Sequence, residues 1–203
     1  AIDAAGVDED SRTFLEDLLA LPGFQECWAV KQWMVMEADE DGALTELSVD
    51  LPGKQLEGEP PLPPSVGKCT RLRHLCLRGV GLGGLCEELG QCVELRSLSF
   101  PRNPLRGDVP ESLNNLALLE KLHIDDCHMT GKFLAMELFK RLGSSEGPVI
   151  YLGNNHFAGI DFRDHGLNQY TTGALRPWMP DLDGKTPRGS VGVASFPGRE
   201  FMQ

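Results

Sequence analysis

Five short apolar-x-apolar triplets recur in one phase along this chain, and that recurrence limits what it can fold into. They are Leu47-Ser48-Val49, Leu75-Cys76-Leu77, Leu98-Ser99-Phe100, Leu122-His123-Ile124 and Ile150-Tyr151-Leu152. Their first residues lie 28, 23, 24 and 28 positions apart. An apolar-x-Gly element follows each in step: Leu56-Glu57-Gly58, Leu82-Gly83-Gly84, Leu105-Arg106-Gly107, Met129-Thr130-Gly131 and Phe157-Ala158-Gly159. Alternate side chains of a strand face opposite ways. Each triplet therefore turns two apolar side chains to a core and one side chain outward. A unit this short cannot bury its apolar side alone and needs copies above and below.

Residues 95–119 give the clearest unit. Leu95, Leu98 and Phe100 lead into Asn103, whose amide is expected to turn inward onto backbone groups left unpaired by the bend. Leu105 and Val109 re-enter the core, Gly107 allows a tight path, and Pro110 starts the return segment. The position of Asn103 is held by Val80, Cys127 and Asn155 in other units, and an insertion around residues 52–55 breaks it in the first.

The run Leu105-Arg106-Gly107-Asp108-Val109-Pro110-Glu111-Ser112-Leu113 resembles the L-x-G-x-I-P-x-x-L consensus of plant-type leucine-rich repeats. Residues 64–72 are similar to the same family's P-x-x-L-G-x-L-x-x-L. The resemblance covers residues 44–159 and implies an α/β solenoid of about five repeats, with a parallel sheet on its concave side. It implies protein binding and no chemistry or cofactor.

The flanks differ in composition. Residues 1–43 read as an acidic arm and a helical N-terminal cap. Phe14, Leu15, Leu18 and Leu19 share a helical face from Ser11 onward, Thr13 with Glu16 fits a capping box, and Pro22-Gly23 ends the helix. The family's cap carries a disulfide, but Met36 stands where a partner for Cys27 is expected. Residues 160–203 lack periodicity and are rich in Pro and Gly, as in an extended tail. Trp178, Met179, Phe196 and Phe201 are the apolar anchors by which such a tail would dock on a neighbour. The fourth unit departs from plant type: Phe133, Leu134, Leu138, Phe139 and Leu142 form a helical stripe that Gly143 is expected to stop.

The net charge is −11, with 19 basic against 30 acidic residues, which argues against a general affinity for nucleic acid or anionic membrane. No apolar run is long enough to span a bilayer. The six cysteines form no C-x-x-C pair, so a zinc or thioredoxin-type site is not expected. Cys69 and Cys92 share a phase in consecutive repeats and either bridge or pack as two small hydrophobes; packing is favoured. No N-x-S/T acceptor occurs. An intracellular protein, or an organellar one after removal of a targeting sequence, fits better than a secreted one.

Catalytic and metal motifs are absent. Gly79-Val80-Gly81-Leu82-Gly83-Gly84 spells a dinucleotide-binding pattern, but Pro104 stands where that motif wants an acidic residue, and every residue already has a place in the repeat. The five histidines show no metal-binding spacing, and Asp125-Asp126 reads as a solvated loop.

The register instead predicts a surface. Arg73, His74, Arg78, Arg96, Ser99, Arg102, Lys121, His123 and Tyr151 fall on the outward positions, with the arginines as a basic centre between acidic ends. These are the expected partner-binding residues, and an acidic protein segment is the expected partner. Two roles follow. One is a non-catalytic protein-binding or scaffold module. The other is an accessory structural subunit of a large assembly, organellar, photosynthetic or respiratory, whose tail docks on neighbouring subunits.

Overall fold

The computed structural model describes residues 6–25, 34–50, 58–144, 149–153 and 155–157. A six-stranded sheet runs through them in chain order, β1 (Met34–Ala38), β2 (Leu44–Asp50), β3 (His74–Arg78), β4 (Ser97–Ser99), β5 (Lys121–His123) and β6 (Val149–Tyr151). Strands β1 and β2 are antiparallel; every later pairing is parallel. Helix α1 (Glu9–Ala20) precedes the sheet and α2 (Met136–Ser144) lies between β5 and β6.

The parallel register is the one that the triplets predict. Leu47, Leu75, Leu98, Leu122 and Ile150 are successive partners, as are Ser48, Cys76, Ser99, His123 and Tyr151. The first row is buried in full, and so is the row of Val49, Leu77, Phe100, Ile124 and Leu152 behind it. Burying a side chain of this size contributes ~1.5–3 kcal/mol, so these two rows supply a large part of the driving force for stacking.

Opposite the sheet, three 3-10 turns stack on one another, Pro64–Lys68, Glu87–Gln91 and Glu111–Asn115. Each places one apolar side chain in the core: Val66, Leu89 and Leu113. The turns touch closely. A Cβ on Gly67 would sit 2.8 Å from the carbonyl oxygen of Glu88, and one on Gly90 would strike the carbonyl oxygen of Ser112. Side chains of one unit also accept backbone N–H groups of the next: Glu87 from Ser112, Asp108 from Lys132, and Asn114 from Leu138.

Asn103 behaves as expected. Its Nδ2 donates to Leu77 O at 2.6 Å and Phe100 O at 2.9 Å, while its Oδ1 accepts from the N–H groups of Gly81 and Leu82. Asn155 repeats the pattern with Ile124, Leu152 and Met129. At Cys127 the thiol donates to Phe100 O at 3.1 Å, replacing half of the amide's function.

Helix α1 begins two residues before Ser11. Asp8 is its N-cap and accepts from Ser11 N at 2.8 Å, so Thr13 is inside the helix and bonds Glu9 O rather than forming a capping box with Glu16. Ser11 is buried because its Oγ accepts from Leu44 N at 2.9 Å, tying α1 to β2. Phe14, Leu15 and Leu18 complete the contact, and α1 packs on the Pro64–Lys68 turn. Cys27 and its neighbours, residues 26–33, lie outside the described residues.

Helix α2 takes the place of a fourth 3-10 turn. Phe133, Leu138, Phe139 and Leu142 are buried, but Leu134 is exposed, and the helix continues through Gly143 to Ser144. Leu134 precedes the helix; its N–H reaches Val109 O, so an extended link sets its direction. Arg141 donates to Leu119 O and Leu116 O, carbonyls at the end of the preceding turn. Cys69, Cys76, Cys86, Cys92 and Cys127 are free thiols.

Candidate functional site

The outward side of the sheet gathers most of the residues singled out in the sequence. Along the sheet, the row Ser48, Cys76, Ser99, His123, Tyr151 forms its midline, and Glu46, His74, Ser97, Lys121 form the row beside it. His74 is exposed, while Lys121, His123 and Tyr151 are half-buried. Ser99 corrects an expectation: it points outward but is only 6% exposed, because neighbouring strands place Cys76 and His123 on either side. It belongs to the floor of this face.

Arg73 and Arg96 stand just before their strands and stack, since Arg96 N bonds Arg73 O and Glu120 N bonds Arg96 O. Arg102 lies beyond β4 in a turn, with a left-handed φ of 59°. Gly79 and Asp126, at the equivalent points of the neighbouring units, have φ of 62° and 52°. That turn therefore takes the left-handed region in all three of these units, at a local cost that a non-glycine residue bears. A shallow cleft of about 240 Å³ opens there, lined by Arg102, Asn103, Pro104, Asp126 and His128.

The basic centre is offset locally. Arg73 meets Glu94 at 3.2 Å, Arg78 meets Asp50 at 3.5 Å, and Arg96 meets Glu120 at 2.9 Å. These carboxylates come from adjacent units, so the arginines compose a charge-balanced face rather than a field for an acidic segment. Exposed pairs of this kind contribute ~0–1 kcal/mol each to stability; their effect is on the surface's charge.

At the β5–β6 end, His123 pairs with Asp125 and packs at a tilt against Tyr151, with ring centroids 4.9 Å apart. Burial pushes the Asp125 carboxyl up, but the hydrogen bond and charge of His123, with Arg102 nearby, outweigh it and hold it below its ordinary value. Burial raises the Tyr151 phenol, and Asp125 adds to the shift. Burial likewise raises the Cys76 thiol, against hydrogen bonds with Ser99 and Ser48. Cys76 at the midline is therefore a protonated, weakly nucleophilic group at neutral pH.

Among the described residues, no group of three or more His, Cys, Asp or Glu side chains is placed to hold a metal ion. No described helix is long and apolar enough to cross a membrane. Trp178, Met179, Phe196 and Phe201 lie outside the described residues.

No family model matches the chain, and no curated protein matches it by sequence. Among solved structures, the leucine-rich repeat ectodomain of the receptor kinase SOBIR1 from Arabidopsis thaliana aligns with a TM-score of 0.53. That match covers 75% of this chain and 83% of the other, at 19% identity. The likeness is one of fold. A plant ice-binding protein aligns with a TM-score of 0.48 at 20% identity, over 75% of this chain and 58% of its own. In the BIR3–SERK2 complex from Arabidopsis thaliana, the matched chain gives 0.44 at 18% identity, over 62% of this chain and 64% of its own. The chain thus spans less than two thirds of the ice-binding protein.

Proposed function

We propose that this chain is a plant-type leucine-rich repeat solenoid that binds other proteins through the outward, concave side of its sheet. Residues 44–159 form the solenoid in this reading, and residues 1–43 and 160–203 flank it as cap and tail. One observation carries it: five parallel strands present a continuous outward row from Ser48 to Tyr151 in one register. A face of this kind is rigid, because the side chains behind it are packed without exposure. Rigid arrays lose little entropy on association.

The contact residues are His74, Lys121, His123 and Tyr151, with Arg73, Arg78, Arg96 and Arg102 around them. Tyr151 leaning on His123 is the aromatic anchor, since aromatic side chains dominate contact energies in protein interfaces. The partner is a protein with a neutral or mixed-charge contact surface, because Arg73, Arg78 and Arg96 are already matched by carboxylates. The balanced face and the net charge of −11 also disfavour nucleic acid.

The test is capture of native partners from the source tissue by the wild-type chain and by two variants. Tyr151→Glu should abolish stoichiometric capture of the same partner that the wild type retains. Lys140→Glu, on α2, should leave it intact. Equal loss in both variants, or in neither, contradicts the proposed face.

A further inference from the structure

We infer that Cys69 and Cys92 are an oxidisable pair, joined into a disulfide when the chain folds in an oxidising medium and left as packed thiols otherwise. Both residues end a 3-10 turn in the same conformation, φ −79° and ψ 63° at Cys69, φ −78° and ψ 64° at Cys92. They are therefore copies of one position in stacked units. The carbonyl oxygen of Val66 is a partner that both residues share. It accepts from Cys69 N at 3.0 Å and from Cys92 Sγ at 3.1 Å, so this sulfur lies no more than about 6.1 Å from the Cys69 backbone. Turns that stack at about the spacing of the strands, ~4.8 Å, bring equivalent Cα atoms into the ~4.4–6.8 Å range that a disulfide spans.

In the reduced form the two thiols have other partners. Cys69 bonds with Ser11 of α1, and Cys92 with Val66. Bridging exchanges both of these bonds for the sulfur–sulfur bond. Among the described cysteines, the alternatives for Cys92 fit less well. Cys86 and Cys92 flank the Glu87–Gln91 turn; at a rise of ~2 Å per residue they stand ~12 Å apart, beyond disulfide reach. Cys76 is on the outward face, and the Cys127 thiol is bonded to Phe100 O.

Burial sets when the bond forms. Desolvation pushes both thiols up to about 12, so little thiolate exists once the chain is folded. Exchange therefore takes place while the chain is still opening and closing. With glutathione disulfide as oxidant, one cysteine thiolate attacks a glutathione sulfur and releases one glutathione thiolate. The second cysteine thiolate then displaces the other. Two thiols are oxidised, one glutathione disulfide is reduced to two glutathiones, and the two cysteine protons are taken up by the departing glutathione thiolates. The bond closes a loop of more than 20 residues and restricts the unfolded chain.

The full chain, unfolded in guanidinium, is diluted into glutathione redox buffer or into reductant, and free thiols are alkylated. Cleavage after Lys68 and Arg71 isolates Cys69, and cleavage after Glu88 and Glu94 separates Cys92 from Cys86. The soluble fraction from redox buffer should contain the Cys69–Cys92 cross-linked peptide. It should melt several degrees higher than the reduced form, and Cys92→Ala should melt alike in both buffers. Alkylation of both cysteines in the redox-buffer sample overturns the inference. So does a bridge from either one to any other cysteine.

Discussion

The amide of Asn103 donates to the carbonyl of Leu77 at 2.6 Å, joining the turn after β4 to the end of β3. Because Asn103 also holds Gly81 N, Leu82 N and Phe100 O, one buried side chain satisfies the bend of two units. Asn103→Ala leaves those groups buried and unpaired and should cost about 3 kcal/mol. Asn103→Cys should cost less, since the Cys127 thiol already meets Phe100 O in the next unit. Urea unfolding of both variants measures the difference.

Two glycines separate crowding from backbone strain. A Cβ on Gly90 would strike Ser112 O, while Gly107, at φ +92°, has nothing within 4 Å. Gly90→Ala should lose ~2–3 kcal/mol through overpacking of the stacked turns. Gly107→Ala should lose ~1 kcal/mol, the cost of a left-handed alanine. The order of their urea midpoints checks this.

Arg71 clamps the β1–β2 connection, with Nη1 at 2.6 Å from Asp39 and 2.8 Å from Asp41. Its hydrogen bond holds the Asp39 carboxyl below the ordinary value of 3.8. A depressed carboxyl contributes stability above the unfolded-state value and loses it as pH falls through the folded one. Wild type and Arg71→Ala should therefore differ in Tm at pH 6, and the difference should shrink as pH falls below ~3.8 and vanish below the lower folded value. A difference unchanged down to pH 2 contradicts the assignment.

Arg141 is the link between α2 and the preceding turn, with bonds of 2.9 Å to Leu119 O and 2.5 Å to Leu116 O. Arg141→Ala should cost about 2 kcal/mol, because two charge-assisted bonds to carbonyls are lost. Lys140→Ala breaks only an exposed pair with Glu137 and should cost under ~1 kcal/mol. Thermal denaturation of the two variants makes the comparison.

The sheet and its core were legible because Leu47, Leu75, Leu98, Leu122 and Ile150 recur in one phase, and a strand's two-residue alternation leaves no second choice of face. Asn103 was legible for a similar reason, as a polar residue at a position the register assigns to the core. Contacts between units were not. Glu94 and Glu120 lie 21 and 24 positions from the arginines they neutralise, and the spacing of one strand to the next does not fix side-chain rotamers. Ser11 was misread as the first helical residue because its hydroxyl serves Leu44, 33 positions away. Ser99 was read only as outward-facing, because alternation gives direction and not depth: Cys76 and His123 on the adjacent strands flank it.

Cross-linking of the native protein to its captured partner with a lysine-reactive reagent tests the binding face most directly. Lys121 lies on the outward side of the sheet, beside His123; Lys140 is on α2, and Lys68 ends a 3-10 turn opposite the sheet. Links from Lys121 to the partner, with Lys68 and Lys140 unlinked, are the predicted result. Links confined to Lys68 and Lys140 would place the partner on the other side and contradict the account.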